Sequence, residues 1–229
     1  MENSKDFETQ YVDPEDVNLP EGTFLVKLAR KAVENYLVNG VVIEPPEDTP
    51  IKLYRLGASF VTILKRVDDE KLDLRGCIGY VKPVEPLVSN VIHAAIAAAT
   101  EDPRFTPLRH EELDEVIFEV SILSKMEKLA DEPELRVKSI YIGRDGLMIE
   151  YGFYHGILLP EVPVEYCWDN ETFLAETCLK AGMEPDCWLN KKVKVYRYRT
   201  KTFKELAPKG DVIERKLREE YEKTCKHML

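Results

Sequence analysis

The sequence lacks the features that would place the chain at a membrane or outside the cell. Its most apolar stretch, residues 91–99, is interrupted by His93 and is too short to span a bilayer. Residues 1–10 have neither a basic segment nor an apolar core, so they do not resemble a signal peptide. We therefore expect a cytoplasmic protein with no membrane partner.

The sequence also lacks the common motifs of phosphate, dinucleotide and hydrolase sites. It contains no P-loop, no G-x-G-x-x-G, no H-E-x-x-H and no G-x-S-x-G. Standard NTPase, Rossmann, zinc-protease and serine-hydrolase functions therefore have no support, and no cofactor is indicated.

Cysteine is scarce and irregularly placed. The five cysteines are Cys77, Cys167, Cys178, Cys187 and Cys225. Their number is odd and no C-x-x-C pair occurs, which favours reduced thiols over a disulfide framework or a structural zinc site. We therefore predict no metal site.

Charge is abundant but predominantly acidic. Lysine and arginine number 32 against 42 acidic residues, a net charge of -10 on 229 residues. The protein as a whole should repel nucleic acid and anionic membranes, so such binding would need a local basic patch. The length favours one domain, which we expect to be bilobed.

Hydrophobic periodicity predicts alternating helices and strands in the first half of the chain. Amphipathic helices are predicted over 20–39 and 87–100. Strands are predicted over 59–65 and 72–80, as a hairpin, and over 117–123. Residues 1–19 read as an acidic, extended lead-in.

The second half shows the same mixture. A hairpin is predicted over 146–151 and 155–159, and a strand over 193–199. Asp169 is predicted to cap a helix that reaches 181, and Asp211 to open a C-terminal helix with Ile213, Leu217 and Tyr221 as a thin apolar stripe on an otherwise solvated surface. Hairpins interrupted by helices indicate an α+β fold with a largely antiparallel sheet.

The segment 74–79 carries the most specific chemical signal. In a strand with alternating faces, Arg75 and Cys77 project together, roughly 6.5 to 7 Å apart. A guanidinium at that distance can activate a thiol, and both groups can contact one anionic ligand. Gly76 and Gly79 would let the ligand approach the backbone.

A structural interpretation of the same segment stays open. Cys77 would then be a small buried side chain, Arg75 would pair with Glu119 or Asp102, and the glycines would serve sheet curvature. Because no histidine is fixed beside Cys77 by spacing, Arg75 is the stronger ligand-binding candidate and Cys77 a weaker catalytic one.

Further candidates lie on neighbouring elements. Glu119 and Ser121 share a strand face, which either completes a polar cluster with Arg75 or simply meets solvent. His93 lies on the narrow polar side of its helix, as an acid-base group or an ordinary hydrogen-bonded histidine. Arg104 follows that helix in a loop, where it would bind a carboxylate or phosphate of a ligand. In the structural alternative, Asp102 caps a turn and Phe105 anchors the loop in the core.

Residues 191–204 form a basic stretch without aspartate or glutamate. Cations interleaved with aromatic rings are what a single-stranded RNA surface needs. An edge strand protected from aggregation by its lysines gives the same pattern. The residues with which RNA contact is predicted are Lys194, Tyr196, Arg197, Tyr198 and Arg199.

Several stretches in fixed order resemble the AMMECR domain family. They are Leu74-Arg75-Gly76-Cys77-Ile78-Gly79, Asp102-Pro103-Arg104-Phe105-Thr106-Pro107, Glu111-Glu112-Leu113, Val120-Ser121-Ile122-Leu123, Leu158-Leu159-Pro160-Glu161-Val162, Trp168-Asp169 and Lys180-Ala181-Gly182. The chain departs from the family at Thr106, a position that is commonly proline. The resemblance implies a domain over 20–206, which leaves 207–229 as a helical tail.

The resemblance also implies a barrel-like sheet with helices outside and internally duplicated β/α units. It suggests a relation to nucleotide- or RNA-binding folds and a functional link to a Memo-family protein. It carries over no catalytic residues, because none are established for the family. We therefore expect an enzyme-like or small-molecule-binding domain, with a groove at Arg75 and Cys77 for a small anionic or nucleotide-like molecule. The alternative is an RNA-binding or protein-interaction adaptor. The oligomeric state stays open.

Overall fold

The computed structural model describes residues 11–67 and 71–225. In chain order its elements are α1 (Leu19–Asn39), β1 (Leu56–Arg66), β2 (Leu72–Pro86), α2 (Leu87–Thr100), β3 (Val116–Leu123), β4 (Glu127–Lys128), α3 (Pro133–Lys138), β5 (Asp145–Tyr151), β6 (Tyr154–Leu158), α4 (Glu161–Glu165), α5 (Asn170–Lys180), β7 (Lys194–Glu205), β8 (Val212–Glu214) and α6 (Leu217–Cys225). Every pair of these strands with an assigned register is antiparallel. The predicted α+β class is confirmed. Within the described residues, no helix is both long enough and apolar enough to cross a membrane.

The chain divides into two compact units. The first comprises Met1–Leu123 and Lys201–Arg215, and the second Ser124–Thr200 and Lys216–Leu229. The strand β7 contributes to both, because the boundary falls within it. Residues 207–229, predicted as one helical tail, are thus shared between the units.

In the first unit, α1 and α2 pack against one face of the sheet. The strand β1 lies between β2 and β3, and the end of β7 pairs with β8. Local signals fix α1, because Asn18 and Glu21 form a reciprocal capping box and Gly40 ends the helix at φ 67°. The shared core includes Leu25, Ala29, Val61, Ile63, Val91, Ala95, Phe118 and Val120.

In the second unit, β5 lies between β6 and the first part of β7, with β4 on the other side of β7. The helix α5 packs against β5 and β6. Asp169 caps it by accepting a hydrogen bond from the Thr172 amide, as predicted. The core includes Leu147, Ile149, Phe173, Leu174, Val195, Leu217 and Tyr221.

The C-terminal region corrects the predicted tail. Asp211 opens no helix, because Val212–Glu214 forms a strand beside β7 and the helix begins at Leu217. That helix is not simply solvated, since Leu217 and Tyr221 are 6% and 7% exposed in the core of the second unit. The strand pairing of 212–214 is long-range, so the local pattern could not reveal it.

The predicted reduced state of the cysteines is wrong for four of the five. Cys167 is bonded to Cys225, and Cys178 to Cys187. Only Cys77 is free. An odd count with irregular spacing is compatible with two bridges and one cysteine outside them, and the sequence alone could not reveal the pairing.

The predicted lead-in also needs correction where the structure describes it. Val12 and Val17 are 2% and 0% exposed in the core of the first unit, on either side of a short 3-10 helix, Pro14–Asp16. Residues 1–10 lie outside the described residues. The segment 11–18 is therefore part of the folded first unit.

Candidate functional site

A bulge in β2 sets the direction of Arg75. The residue Ile63 pairs with Gly76, whereas the next residue, Leu64, pairs with Leu74. Arg75 is thus the extra residue that β2 has relative to β1. The alternation of side chains between the two faces of the strand, assumed from the sequence, is interrupted there. The predicted projection of Arg75 and Cys77 into one space depends on that alternation.

The guanidinium of Arg75 is bound by the connection between α2 and β3. Its Nε and Nη2 atoms each donate to a carboxylate oxygen of Glu112 at 3.0 Å. Its Nη1 donates to the Thr106 carbonyl at 2.8 Å and its Nη2 to the Pro107 carbonyl at 3.4 Å. The hydrogen bond from Arg75 is the main cause that lowers the pKa of Glu112 to about 2. Arg75 therefore holds this connection against β2.

The two carboxylates offered by the sequence as partners of Arg75 bind other cations. Glu119 accepts from Arg215 Nη1 at 3.1 Å, and Asp102 accepts from Arg104. The structural interpretation of Arg75 as an ion-paired residue thus fits the geometry with a different partner, Glu112. A ligand role for Arg75 stays a prediction.

The free thiol of Cys77 lies among polar groups of the first unit. The Thr62 hydroxyl donates to its Sγ at 3.4 Å. Its amide donates to Asp102 Oδ2 at 2.8 Å, and its carbonyl accepts from Arg104 Nη2 at 3.4 Å. The residue is half-buried, so it is not the sealed apolar filler of the structural interpretation.

Asp102 and Arg104 form a tight pair beside Cys77. Arg104 Nε donates to Oδ1 at 2.9 Å and Nη2 to Oδ2 at 2.7 Å, while the Arg104 amide also donates to Oδ1. The bond from Arg104 is the main cause that lowers the pKa of Asp102 to about 2. In turn the hydrogen bond to Asp102 raises the pKa of Arg104. The carboxylate is 2% exposed and the guanidinium 49%, so the cation reaches solvent.

Glu119 and Cys77 flank Thr62 in one row across the sheet. Thr62 is paired with Cys77 on β2 and with Glu119 on β3. Two strand spacings separate the outer residues by about 10 Å. Glu119 and Ser121 are 3% and 1% exposed, which contradicts the alternative that their face meets solvent.

Ser121 and His93 have other partners. The Ser121 hydroxyl lies 2.9 Å from that of Thr202. His93 Nδ1 lies 2.9 Å from Glu85 Oε2, and the imidazole is 47% exposed on α2. Glu85 also accepts from Asn90, so the described contacts of His93 are those of a hydrogen-bonded surface histidine.

Protein atoms fill the space next to both glycines of the motif. A Cβ on Gly76 would lie 2.1 Å from the Ala98 carbonyl oxygen of α2, and one on Gly79 would lie 2.3 Å from the Phe60 ring. The glycines thus allow close packing of a helix and a ring. Direct contact of either with a ligand stays a prediction.

The basic stretch on β7 has acidic partners on adjacent strands. Lys194 Nζ lies 3.0 Å from Glu150 Oε1 on β5, and Arg197 Nη2 lies 2.9 Å from Glu127 Oε2 on β4. The amide of Arg199 donates to Ser124 Oγ at 2.9 Å. The pairing compensates the charge of Lys194 and Arg197.

The two tyrosines of this stretch differ. Tyr198 is 1% exposed, and its hydroxyl donates to the Leu158 carbonyl at 3.0 Å. Tyr198 is therefore a core residue, and its predicted role as an exposed stacking platform for a base does not fit this position. Tyr196 is half-exposed.

Sequence reasoning missed Thr62 and Arg215. Thr62 was hidden within an ordinary strand pattern, although pairing the predicted hairpin would have placed it near Cys77. Arg215 is 96 residues from its partner Glu119, and no local pattern signals that contact. In the described part of the chain, no group of three histidine, cysteine, aspartate or glutamate residues is placed to hold a metal ion.

Comparison with known proteins supports the resemblance seen in the motifs. The AMMECR1 family model matches residues 26–203. A protein of Thermococcus gammatolerans is 55% identical over 191 residues, covering 83% of this chain and 93% of that protein. A protein of Thermofilum pendens is 53% identical over 201 residues, covering 85% and 94%.

A solved structure has the same fold. The crystal structure of the uncharacterized protein PH0010 from Pyrococcus horikoshii superimposes with a TM-score of 0.85 at 47% identity. The match covers 87% of this chain and 98% of that one. Sequence and structure agree that the chain belongs to the AMMECR1 family.

Proposed function

We propose that the first unit binds a small anionic or nucleotide-like molecule beside Cys77, with Arg104 as the anion-binding residue and Cys77 as the nucleophile. The observation that carries this proposal is the half-buried free thiol beside a guanidinium that reaches solvent. The proposal moves the ligand-binding cation from Arg75 to Arg104, because Glu112 and two carbonyls already bind Arg75.

Arg104 keeps one nitrogen, Nη1, with two N–H donors for a ligand. Its Nε and Nη2 bind Asp102 and the Cys77 carbonyl. Its Nη1 has no hydrogen-bond partner among residues 11–67 and 71–225. A guanidinium held in place by a buried carboxylate loses little side-chain entropy when it binds a phosphate or carboxylate.

A cation and a hydrogen-bond donor lie beside the thiol. A thiolate is stabilised by a nearby cation and by hydrogen-bond donors, which Arg104 and the Thr62 hydroxyl supply. Asp102 fixes both the Cys77 amide and Arg104, so it positions the two groups relative to each other. The arrangement supports Cys77 as the nucleophile of the site.

Alkylation by iodoacetamide tests the proposal. Cys77 should react faster than the thiol of glutathione at the same pH, and Arg104→Gln should slow it several-fold because the cation is lost. Arg55→Gln, which removes an exposed arginine of the same unit, should leave the rate unchanged.

Protection by simple anions gives the second readout. Inorganic phosphate or adenosine monophosphate should slow alkylation of the wild-type protein and have less effect on Arg104→Gln. The proposal fails if Cys77 reacts no faster than glutathione and neither anion protects it.

A further inference from the structure

The two disulfides of the second unit differ in their access to solvent. Cys178 and Cys187 are 0% and 8% exposed, so both sulfurs of that bridge are buried. In the other bridge Cys225 is buried, but Cys167 is partly exposed. Thiol–disulfide exchange requires an incoming thiolate to reach one sulfur, which makes Cys167 the accessible point.

The backbone at Cys167 is unusual. Its φ of 52° lies in the left-handed region, which residues other than glycine rarely adopt. Cys167 lies between α4 and α5, flanked by Tyr166 and Trp168, whose rings stack at 5.2 Å. Such a conformation persists where surrounding contacts hold it, and breaking the bridge removes one of those contacts.

The bridge fixes the end of a short helix. The helix α6 has nine residues, most of them charged, and a helix of that length is marginal alone in water. Besides the bridge, Leu217 and Tyr221 hold it by burial, and the Tyr221 hydroxyl donates to the Trp168 carbonyl at 3.2 Å. The Cys167–Cys225 bond therefore supplies the covalent anchor at the C-terminal end of α6.

The same helix forms one wall of a cavity. This cavity, of about 440 Å³, lies within the second unit. Arg218 and Tyr221 of α6 line it opposite Ile140, Ile142 and Asn170. A volume of this size lies in the range of small-molecule sites. Because α6 forms one wall, movement of this helix would open or abolish the cavity.

We propose that Cys167 is a site of thiol–disulfide exchange, and that its reduction by a dithiol releases α6 and dismantles the cavity. One thiolate of the dithiol attacks Cys167 Sγ, the S–S bond breaks, and Cys225 leaves as a thiolate that takes a proton from solvent. The second thiolate of the dithiol then attacks the dithiol sulfur of the mixed disulfide. The dithiol closes into a cyclic disulfide, and Cys167 leaves as a thiolate that takes a proton from solvent. The protein gains two electrons and two protons, and the dithiol is oxidised.

Native-state reduction with differential labelling tests this inference. Cys77 is first blocked with one alkylating reagent, the folded protein is treated with dithiothreitol, and newly released thiols are labelled with a second. Peptide mass spectrometry should find Cys167 and Cys225 labelled together, at a rate at least about tenfold above that of Cys178 and Cys187. The buried bridge serves as the internal control.

Hydrogen exchange shows what the reduction does to the helix. Amides of 217–225 should lose protection from exchange when the Cys167–Cys225 bridge is reduced, while the amides of α5 keep theirs. The double variant Cys167→Ser with Cys225→Ser should show the same loss without reductant, and Cys178→Ser with Cys187→Ser should not.

Three outcomes would overturn the inference. These are equal rates for the two bridges, faster reduction of Cys178–Cys187, and a reduced Cys167–Cys225 pair that leaves α6 fully protected. Reduction of the wild-type protein decides the matter even if a serine variant does not fold. Because Cys77 is blocked throughout, none of these results bears on the ligand site of the first unit.

Discussion

Single residues determine how charge is distributed in the first unit, because four of its arginines each bind a carboxylate. The pairs are Arg30–Glu205, Arg75–Glu112, Arg104–Asp102 and Arg215–Glu119. The guanidinium of Arg104 differs from the other three in its exposure, 49% against 12% or less. Of these four guanidiniums that of Arg104 is therefore the most accessible, which makes it the one best placed to contact an anionic group of a ligand.

The pair Arg30–Glu205 is the most deeply buried of the four, with side chains 6% and 1% exposed. Arg30 also donates to the carbonyls of Leu113 and Val116, and Glu205 accepts from the Phe118 amide. Glu205→Ala should lower the free energy of unfolding by about 3–5 kcal/mol, because it leaves a buried cation unpaired. Denaturant-induced unfolding measures this change.

An exposed pair provides the control for that measurement. Asp114 binds Lys209 at 2.8 Å with both side chains more than half exposed, so Asp114→Ala should leave the unfolding midpoint nearly unchanged. Equal losses in the two variants would contradict the importance of burial.

The carboxyl of Asp102 should make stability depend on acid pH. Its pKa falls from 3.8 to about 2 in the folded protein, so its stabilising contribution is complete above the unfolded value and is lost as the pH falls through about 2. The contribution is about 2 kcal/mol. Asp102→Asn should be less stable than wild type at pH 7, and the difference should shrink as the pH approaches 2. Unfolding free energies measured across this range check the sign, and a difference that grows in acid would contradict it.

At the scale of elements, local signals predicted α1, α2 and α5 well, whereas α3 and α4 were not predicted and α6 was predicted to begin too early. The capping box of α1, the apolar periodicity of α2 and the Asp169 cap of α5 act over a few residues, and these helices lie within one residue of the predicted bounds. Pairing of the predicted hairpin at 59–65 and 72–80 is confirmed by β1 and β2. Interactions within a turn or a hairpin are visible in sequence because their partners are close along the chain.

Features that depend on distant partners were not predictable in this way. The bulge at Arg75 depends on the register between two strands, and one extra residue redirects a side chain. The strand Val212–Glu214 and the bridge between Cys167 and Cys225 join segments that sequence spacing does not connect. The candidate site was found through Cys77, whereas the identity of its nearby cation needed the structure.

Close contact between β2 and α2 yields a prediction for Gly76. A Cβ at this position would lie 2.1 Å from the Ala98 carbonyl oxygen, a backbone atom in the last turn of the packed helix. Gly76→Ala should therefore destabilise the protein by about 1–3 kcal/mol, because the helix has to move away from the strand.

The control variant for Gly76→Ala is Ser89→Ala on α2. Ser89 is half-buried and has no side-chain hydrogen bond within the described residues. Its effect should stay within about 0.5 kcal/mol. Thermal or denaturant unfolding measures both variants, and a Gly76→Ala protein as stable as wild type would show that the strand tolerates a side chain there.

For the whole molecule, cross-links contribute in proportion to the loops they close. The Cys167–Cys225 bridge spans 58 residues and the Cys178–Cys187 bridge spans 9. In the chain-entropy description, replacing both cysteines of a bridge by serine should cost about 4 kcal/mol for the longer loop and about 2.5 kcal/mol for the shorter. Unfolding under non-reducing conditions tests this order, with Cys77→Ser as the control that breaks no bridge. A larger loss for the shorter bridge would contradict it.

The charge of the whole chain argues against RNA as a general partner. The net charge is -10, and the basic strand that could offset it has Lys194 and Arg197 paired with Glu150 and Glu127. Binding of a fluorescent single-stranded RNA at physiological salt should thus be no tighter than about 10⁻⁴ M in an anisotropy titration.

Removing the paired carboxylates separates the two causes of this weak binding. If pairing on β7 is what prevents contact with phosphates, the double variant Glu127→Gln with Glu150→Gln should bind RNA more tightly and with a steeper salt dependence, because two cations become available. If the acidic bulk dominates, the double variant should bind as weakly as wild type. Micromolar binding by the wild-type protein, lost when Lys194, Arg197 and Arg199 are changed to alanine, would contradict both explanations and establish the strand as an RNA surface.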